Sequence, residues 1–228
     1  MGFKRNIQPK AFLAGDDLTR ALVGIGILFT GAAAPEPNIE DTLLAASVEG
    51  LEREDLRVLA VLVTWLEVHH AWLNADRLVS LVEAYPGDRV RAFWCAMARF
   101  LVKDRRLTKL AKVYKGPELD LLTTGTVFHI HRSGEDPRFM GGPLRVPAGI
   151  LRDRKTDVLR PSELAARHRG YRRRVLLGPS YRADIWAELD GKPDSTPTEL
   201  ARRTYASFAT AWQVKRDWEL LGAGAAGP

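Results

Sequence analysis

Apolar positions recur along most of this chain at helical rather than strand spacing, and that periodicity predicts a mainly α protein. Glu52 to His70 is the clearest run, with Leu56, Leu59, Val63 and Leu66 spaced as on a long buried helix. Asn38 is placed to cap a helix ending near Gly50. Asn74 caps another running to Tyr85, where Pro86-Gly87 stops it. Asp88 opens a fourth, in which Val90, Phe93, Trp94, Met97 and Leu101 form an apolar stripe. Upstream, Asp16 or Asp17 caps a shorter helix through Leu18, Leu22, Ile25 and Phe29, weakened by Gly24 and Gly26. His69-His70 closes the long helix, where a cation suits the dipole.

The texture changes at Gly116-Pro117. Thr126, Phe128 and Ile130 alternate with Val127, His129 and His131, which predicts a strand. Ser133 to Pro137 reads as a turn and Leu144 to Ile150 as a return strand, so a small β hairpin or sheet is expected between two helical regions. Helical signals resume at Pro161-Ser162-Glu163 and again from Ser180 to Leu189. The resulting division is a helical domain over 1–115, a β segment over 116–150, a basic helical domain over 151–221 and a disordered tail over 222–228. For the first of these a plain helical bundle competes with a winged-helix-like unit completed by the β segment.

Charge sharpens the picture. The net charge is +6, from 34 Lys and Arg against 28 Asp and Glu. Between Arg145 and Arg182 eleven cations meet only three acids, an excess of eight, and ten of the eleven are arginine. Arginine's planar fork suits phosphate, so the segment reads as a polyanion-binding surface, with His168 assigned to it. A solvated basic helix or a set of ion pairs is the competing explanation.

Thr196-Pro197-Thr198-Glu199 is a capping box at the head of a short helix to about Thr204. Tyr205-Ala206 interrupts, and Ser207 caps a second helix through Trp218. The stretch from Thr196 to Leu221 resembles the helix-turn-helix of bacterial DNA-binding regulators, with Ala201 at the close approach and Leu200, Ala211 and Val214 at core positions. That resemblance implies that Ser207, Phe208, Ala209, Thr210 and Gln213 face the major groove. It places Arg202, Arg203, Lys215 and Arg216 near phosphates. Arg167, Arg169, Arg172, Arg173 and Arg174 from the basic segment join them. Gln213 is the residue suited to a bidentate adenine contact. The chain departs from the family at Tyr205, where glycine is usual in the turn.

Catalytic signals are sparse. No phosphate-binding glycine loop, Gly-x-Ser-x-Gly elbow or His-Glu-x-x-His motif occurs. His129 and His131 share one face of the expected strand and, with Glu135 or Asp136, offer a beginning for a metal site and a hydrolase. The lone Cys95 forbids an internal disulfide and fits a cytosolic setting. The apolar stretch from Ala21 to Phe29 is too short to span a bilayer, and no signal peptide is visible. The expectation is therefore a non-catalytic cytoplasmic protein without cofactor or metal that binds duplex DNA. It would act as a transcription regulator, an antitoxin or a phage-defence component, with homodimers favoured by paired half-sites. The competing class is a protein- or RNA-docking module.

Overall fold

A computed structural model describes residues 8–9, 11–101 and 103–225, and it is mainly helical with one two-stranded parallel sheet. Five helices make the N-terminal part: α1 (Gly15–Gly24), α2 (Ile39–Glu52), α3 (Leu56–His69), α4 (Ala75–Ala84) and α5 (Asp88–Phe100). Asn38 accepts the Asp41 N–H at 3.0 Å, Asp55 accepts those of Arg57 and Val58, and Asn74 accepts that of Arg77 at 3.2 Å. Each such cap contributes about 1 kcal/mol. Helix α3 is buried continuously from Val58 to Leu66, as an all-round apolar helix must be. The buried indoles of Trp65 and Trp94 donate to the Ile25 carbonyl (2.9 Å) and Ser47 Oγ (3.0 Å). Helix α2 ends two residues beyond Gly50, where glycine is required because a Cβ would sit 2.8 Å from Leu59 Cβ at the crossing with α3.

Of the hairpin or sheet expected between the helical regions, the structure forms a small parallel sheet. Strands β1 (Leu119–Asp120) and β2 (Leu144–Arg145) pair in parallel over two residues each. The alternating segment is helix α6 (Thr126–Ser133), bounded by Gly125 and Gly134, both at positive φ. Alternation misled here because neither face is used for packing: Val127, Phe128, His129 and His131 are all exposed and only Thr126 is buried. The segment closes its own bonds, His129 N–H to Gly125 O and Gly134 N–H to Ile130 O, and needs no neighbouring strand.

The remaining helices are α7 (Pro161–Arg167), α8 (Arg169–Leu177), α9 (Tyr181–Gly191), α10 (Pro197–Thr204) and α11 (Phe208–Ala225). Residues 222–225, expected in a disordered tail, continue α11, and 226–228 lie outside the described residues. There are two cores. The larger runs from Leu18 to Tyr171 and takes in Leu121, Phe139 and Val146 as well as Leu151, Val158, Leu159 and Leu164. The smaller joins Ile185, Leu189, Leu200, Ala206, Ala211 and Val214 from α9, α10 and α11. The cores thus divide after α8, not at residue 150. Residues 157–159 are held to the first core by backbone bonds with 26–28, Leu28 N–H to Asp157 O and Leu159 N–H to Gly26 O, both 2.8 Å.

Polar side chains join the two bodies. Arg174 on α8 is buried and bonds Glu40 of α2 (2.6 and 2.8 Å) and Asp184 of α9 (2.6 Å). Asn74 Nδ2 also donates to Asp184 at 3.0 Å. Beside this cluster Tyr205 donates its hydroxyl to Asp41 at 2.8 Å, and the Arg77 guanidinium lies over its ring at 3.4 Å.

Candidate nucleic-acid interface

Helix α10 begins with Pro197 in its first turn, and the Glu199 carboxylate accepts the Thr196 N–H at 2.8 Å while Thr196 Oγ1 accepts that of Glu199. The three residues 205–207 then turn the chain into α11, where Ser207 Oγ accepts the Thr210 N–H at 3.0 Å. Tyr205 takes the left-handed conformation (φ 59°, ψ 17°) that glycine adopts without strain. For a residue with a Cβ this costs about 1–2 kcal/mol. The bond to Asp41 and the stacking of Arg77 offset it, so the departure from the glycine pattern is tied to docking against α2 and α4. Tyr205→Phe is expected to lower stability by about 1 kcal/mol, the worth of one partly buried hydrogen bond, as read from urea denaturation.

Ala211 and Val214 turn α11 toward the smaller core, which leaves Phe208, Ala209, Trp212, Gln213 and Arg216 on its outer side. Phe208 is 57% and Trp212 50% exposed, and the Arg216 guanidinium lies 5.4 Å from the Trp212 ring centre. Ser207 and Thr210 do not share that side. Both are half-buried, and their hydroxyls bond each other at 2.6 Å, so their role is to start the helix. Trp212 escaped the sequence reading although it stands four residues after Phe208, one helical turn along the same face.

The expected phosphate contacts separate into free and committed groups. Arg202 is exposed and forms no ion pair among the described residues. Arg203 reaches Glu188 and Ser195 Oγ, both at 3.4 Å. Lys215 is held by the Ser195 carbonyl at 2.8 Å and pairs with Glu219. Arg216 pairs with Asp217 at 3.4 Å but stays half exposed.

Most of the arginine-rich segment is neutralised. Arg154, Lys155 and Arg160 pair with the three acids of the segment itself, Asp157, Asp153 and Glu163. Five more pair with acids outside it: Arg145 with Asp120, Arg169 with Glu36, Arg173 with Asp190, Arg174 with Glu40 and Asp184, and Arg182 with Asp217. Arg174 therefore cannot serve as a phosphate contact, and Arg173 is held in a two-bond pair at 2.6 and 2.7 Å. Burial works against the Arg174 charge, but the two carboxylates hold its pKa above the ordinary value. Asp184 is raised because burial outweighs the pull of Arg174. Arg152, Arg167 and Arg172 remain exposed and unpaired among the described residues.

His168 is buried rather than turned to solvent. Its Nδ1 accepts the Tyr171 N–H (3.1 Å) at the head of α8 and Nε2 donates to the Pro37 carbonyl (3.0 Å). Burial holds its pKa below the ordinary value, which removes it from phosphate binding. His129 and His131, two apart on α6, project from different sides of a helix and do not share a face. Asp136 is taken by Arg138 at 2.6 Å. Among the described residues no group of three or more His, Cys, Asp or Glu is placed to hold a metal ion, and no helix is long and apolar enough to cross a membrane. The chain matches no family model, no curated protein and no solved structure.

Proposed function

We propose that the protein is a non-catalytic DNA-binding protein that presents α11 to the major groove of duplex DNA. The observation that carries this reading is the outer side of α11, where Ala209, Gln213 and Arg216 stand clear of the smaller core and Arg202 stands free on α10. Gln213 suits an adenine edge, and Phe208 and Ala209 suit a thymine methyl group. Arg202 and Arg216 then neutralise phosphates. Transcription regulation is the simplest use of such a module, and an antitoxin or phage-defence role employs the same contact.

Titrating duplex binding against salt tests the reading, because phosphate neutralisation makes affinity fall steeply with added salt. Arg202→Gln is expected to reduce the slope of log affinity against log salt by about 0.9. Gln213→Ala is expected instead to cut discrimination at one base pair by about 1–3 kcal/mol. Absence of duplex binding at low salt would rule the reading out. A second reading, docking of a protein partner, is favoured by exposed Phe208, Trp212 and Leu220 along α11. It predicts salt-insensitive association that Trp212→Ala weakens.

A further inference from the structure

A denser run of unpaired cations among the described residues lies outside the arginine-rich segment, which keeps only Arg152, Arg167 and Arg172 free. From Arg99 to Lys115 there are seven cations and one acid, Asp104. All seven cations are exposed, and the one ion pair they form among the described residues is Arg106 with Asp104 at 2.5 Å. Arg106 is further tied to the carbonyls of His70, Ala71 and Leu73, so its task is to hold the segment against the end of α3. Lys103, Arg105, Lys109, Lys112 and Lys115 meet no carboxylate among the described residues.

The local backbone explains this display. Two short 3₁₀ turns, Arg105–Thr108 and Leu110–Lys112, run along the surface here. In such turns residues three apart eclipse, about 6 Å from one to the next. Leu107, Leu110 and Val113 fall in one row and are buried in the larger core. Arg106, Lys109, Lys112 and Lys115 follow the neighbouring register and stay outside. Burial of the apolar row fixes the cationic row outward and leaves no apolar side to enter a lipid surface. Unpaired lysines act as point charges toward phosphate. Arg105, Arg106 and Lys109 also line a cavity of about 530 Å³, together with Asp76 and with Pro179, Ser180 and Tyr181 at the head of α9. The strip thus borders the unit that carries α11.

We propose that the exposed strip Lys103–Arg105–Lys109–Lys112–Lys115 is a sequence-independent contact surface for the phosphate backbone of duplex DNA, separate from α11. The strip itself stands on its own geometry, and the choice of duplex DNA over other polyanions rests on the reading of α11.

The test uses the full chain carrying Lys103→Gln, Arg105→Gln, Lys109→Gln and Lys112→Gln together, with its fold checked by an unchanged thermal unfolding midpoint. Binding to a random-sequence DNA duplex is measured against salt. The salt slope is expected to fall by about 3–4, near 0.9 for each cation removed, while preference between sequences persists. An unchanged slope would overturn the proposal, and if Gln213→Ala still altered sequence preference, the reading of α11 would survive it. A reduced slope together with no effect of Gln213→Ala and Arg202→Gln would uphold the strip and defeat α11. Tighter binding to duplex RNA than to DNA would overturn it, as would binding by the unaltered protein to phosphatidylserine vesicles but to no duplex.

Discussion

Arg174→Met is expected to destabilise the protein by about 3–5 kcal/mol, because it strands two carboxylates in a buried site without their cation. Glu40 and Arg174 are both inaccessible to solvent, and the guanidinium makes three bonds of 2.6–2.8 Å to Glu40 and Asp184. Removing one member leaves the others desolvated, which costs more than the intact network contributes. Urea denaturation at pH 7 measures the loss. Arg172→Met, at an exposed position on the same helix that forms no ion pair among the described residues, is the control and should stay within about 0.5 kcal/mol of the parent. Adding Glu40→Gln and Asp184→Asn to Arg174→Met should recover part of the loss, since no charge then remains buried. A loss below about 1 kcal/mol for Arg174→Met alone would show that the three side chains are not packed as described. Because these residues come from α2, α8 and α9, the same substitution should loosen the docking of the C-terminal unit.

Acid is expected to weaken the protein before most carboxylates titrate. His69 is buried, its Nε2 donates to the Leu159 carbonyl at 3.0 Å, and its Nδ1 accepts the Tyr171 hydroxyl at 2.7 Å. A carbonyl oxygen can only accept, so Nε2 carries a proton, and burial disfavours a second one on Nδ1. Burial pushes its pKa down from 6.5 to about 4, although the bond to Leu159 opposes the shift. The unfolded chain therefore takes up a proton near pH 6.5 and the folded chain does so only near pH 4. Stability is complete above the unfolded value and falls as the pH drops between the two, by about 3 kcal/mol from this residue. His168 acts in the same sense. Asp41 and Asp184 are raised by burial and act in the opposite sense, so the histidine effect is the difference between the parent and His69→Gln. Denaturation curves at pH 7 and pH 4.5 should show a smaller loss in the variant. An equal loss would remove His69 from the account.

Much of the molecule was legible in its residues because the relevant interactions are local. Helix caps act over two or three residues, so Asn38, Asn74 and Thr196 announce the starts of α2, α4 and α10 without any knowledge of the fold. Apolar spacing likewise marks the buried sides of α5 and α11, and an unbroken apolar run marks α3 as buried all round. Where local pattern met no packing partner it failed, as in α6, whose alternation of Thr126, Phe128 and Ile130 serves no sheet. Ser207 and Thr210 were legible as the start of a helix, but their mutual hydroxyl bond, which withdraws them from the open side of α11, was not.

Charge was the least local property. The count of +6 and the eleven cations of the basic segment are facts of sequence, yet five of those cations find their carboxylates up to 134 residues away, as Arg174 finds Glu40. The cationic strip after α5 is shorter, but its one acid, Asp104, is taken by Arg106, and its other cations meet no carboxylate among the described residues. Sequence by itself determined that this protein is mainly helical, where most of its helices begin, and that a capped pair of helices stands near its C-terminal end. Tertiary structure alone decided which cations remain free, which histidines are neutral and why Tyr205 stands where a glycine was expected. Those outcomes depend on desolvation and on charges brought together by folding, and neither can be read along the chain.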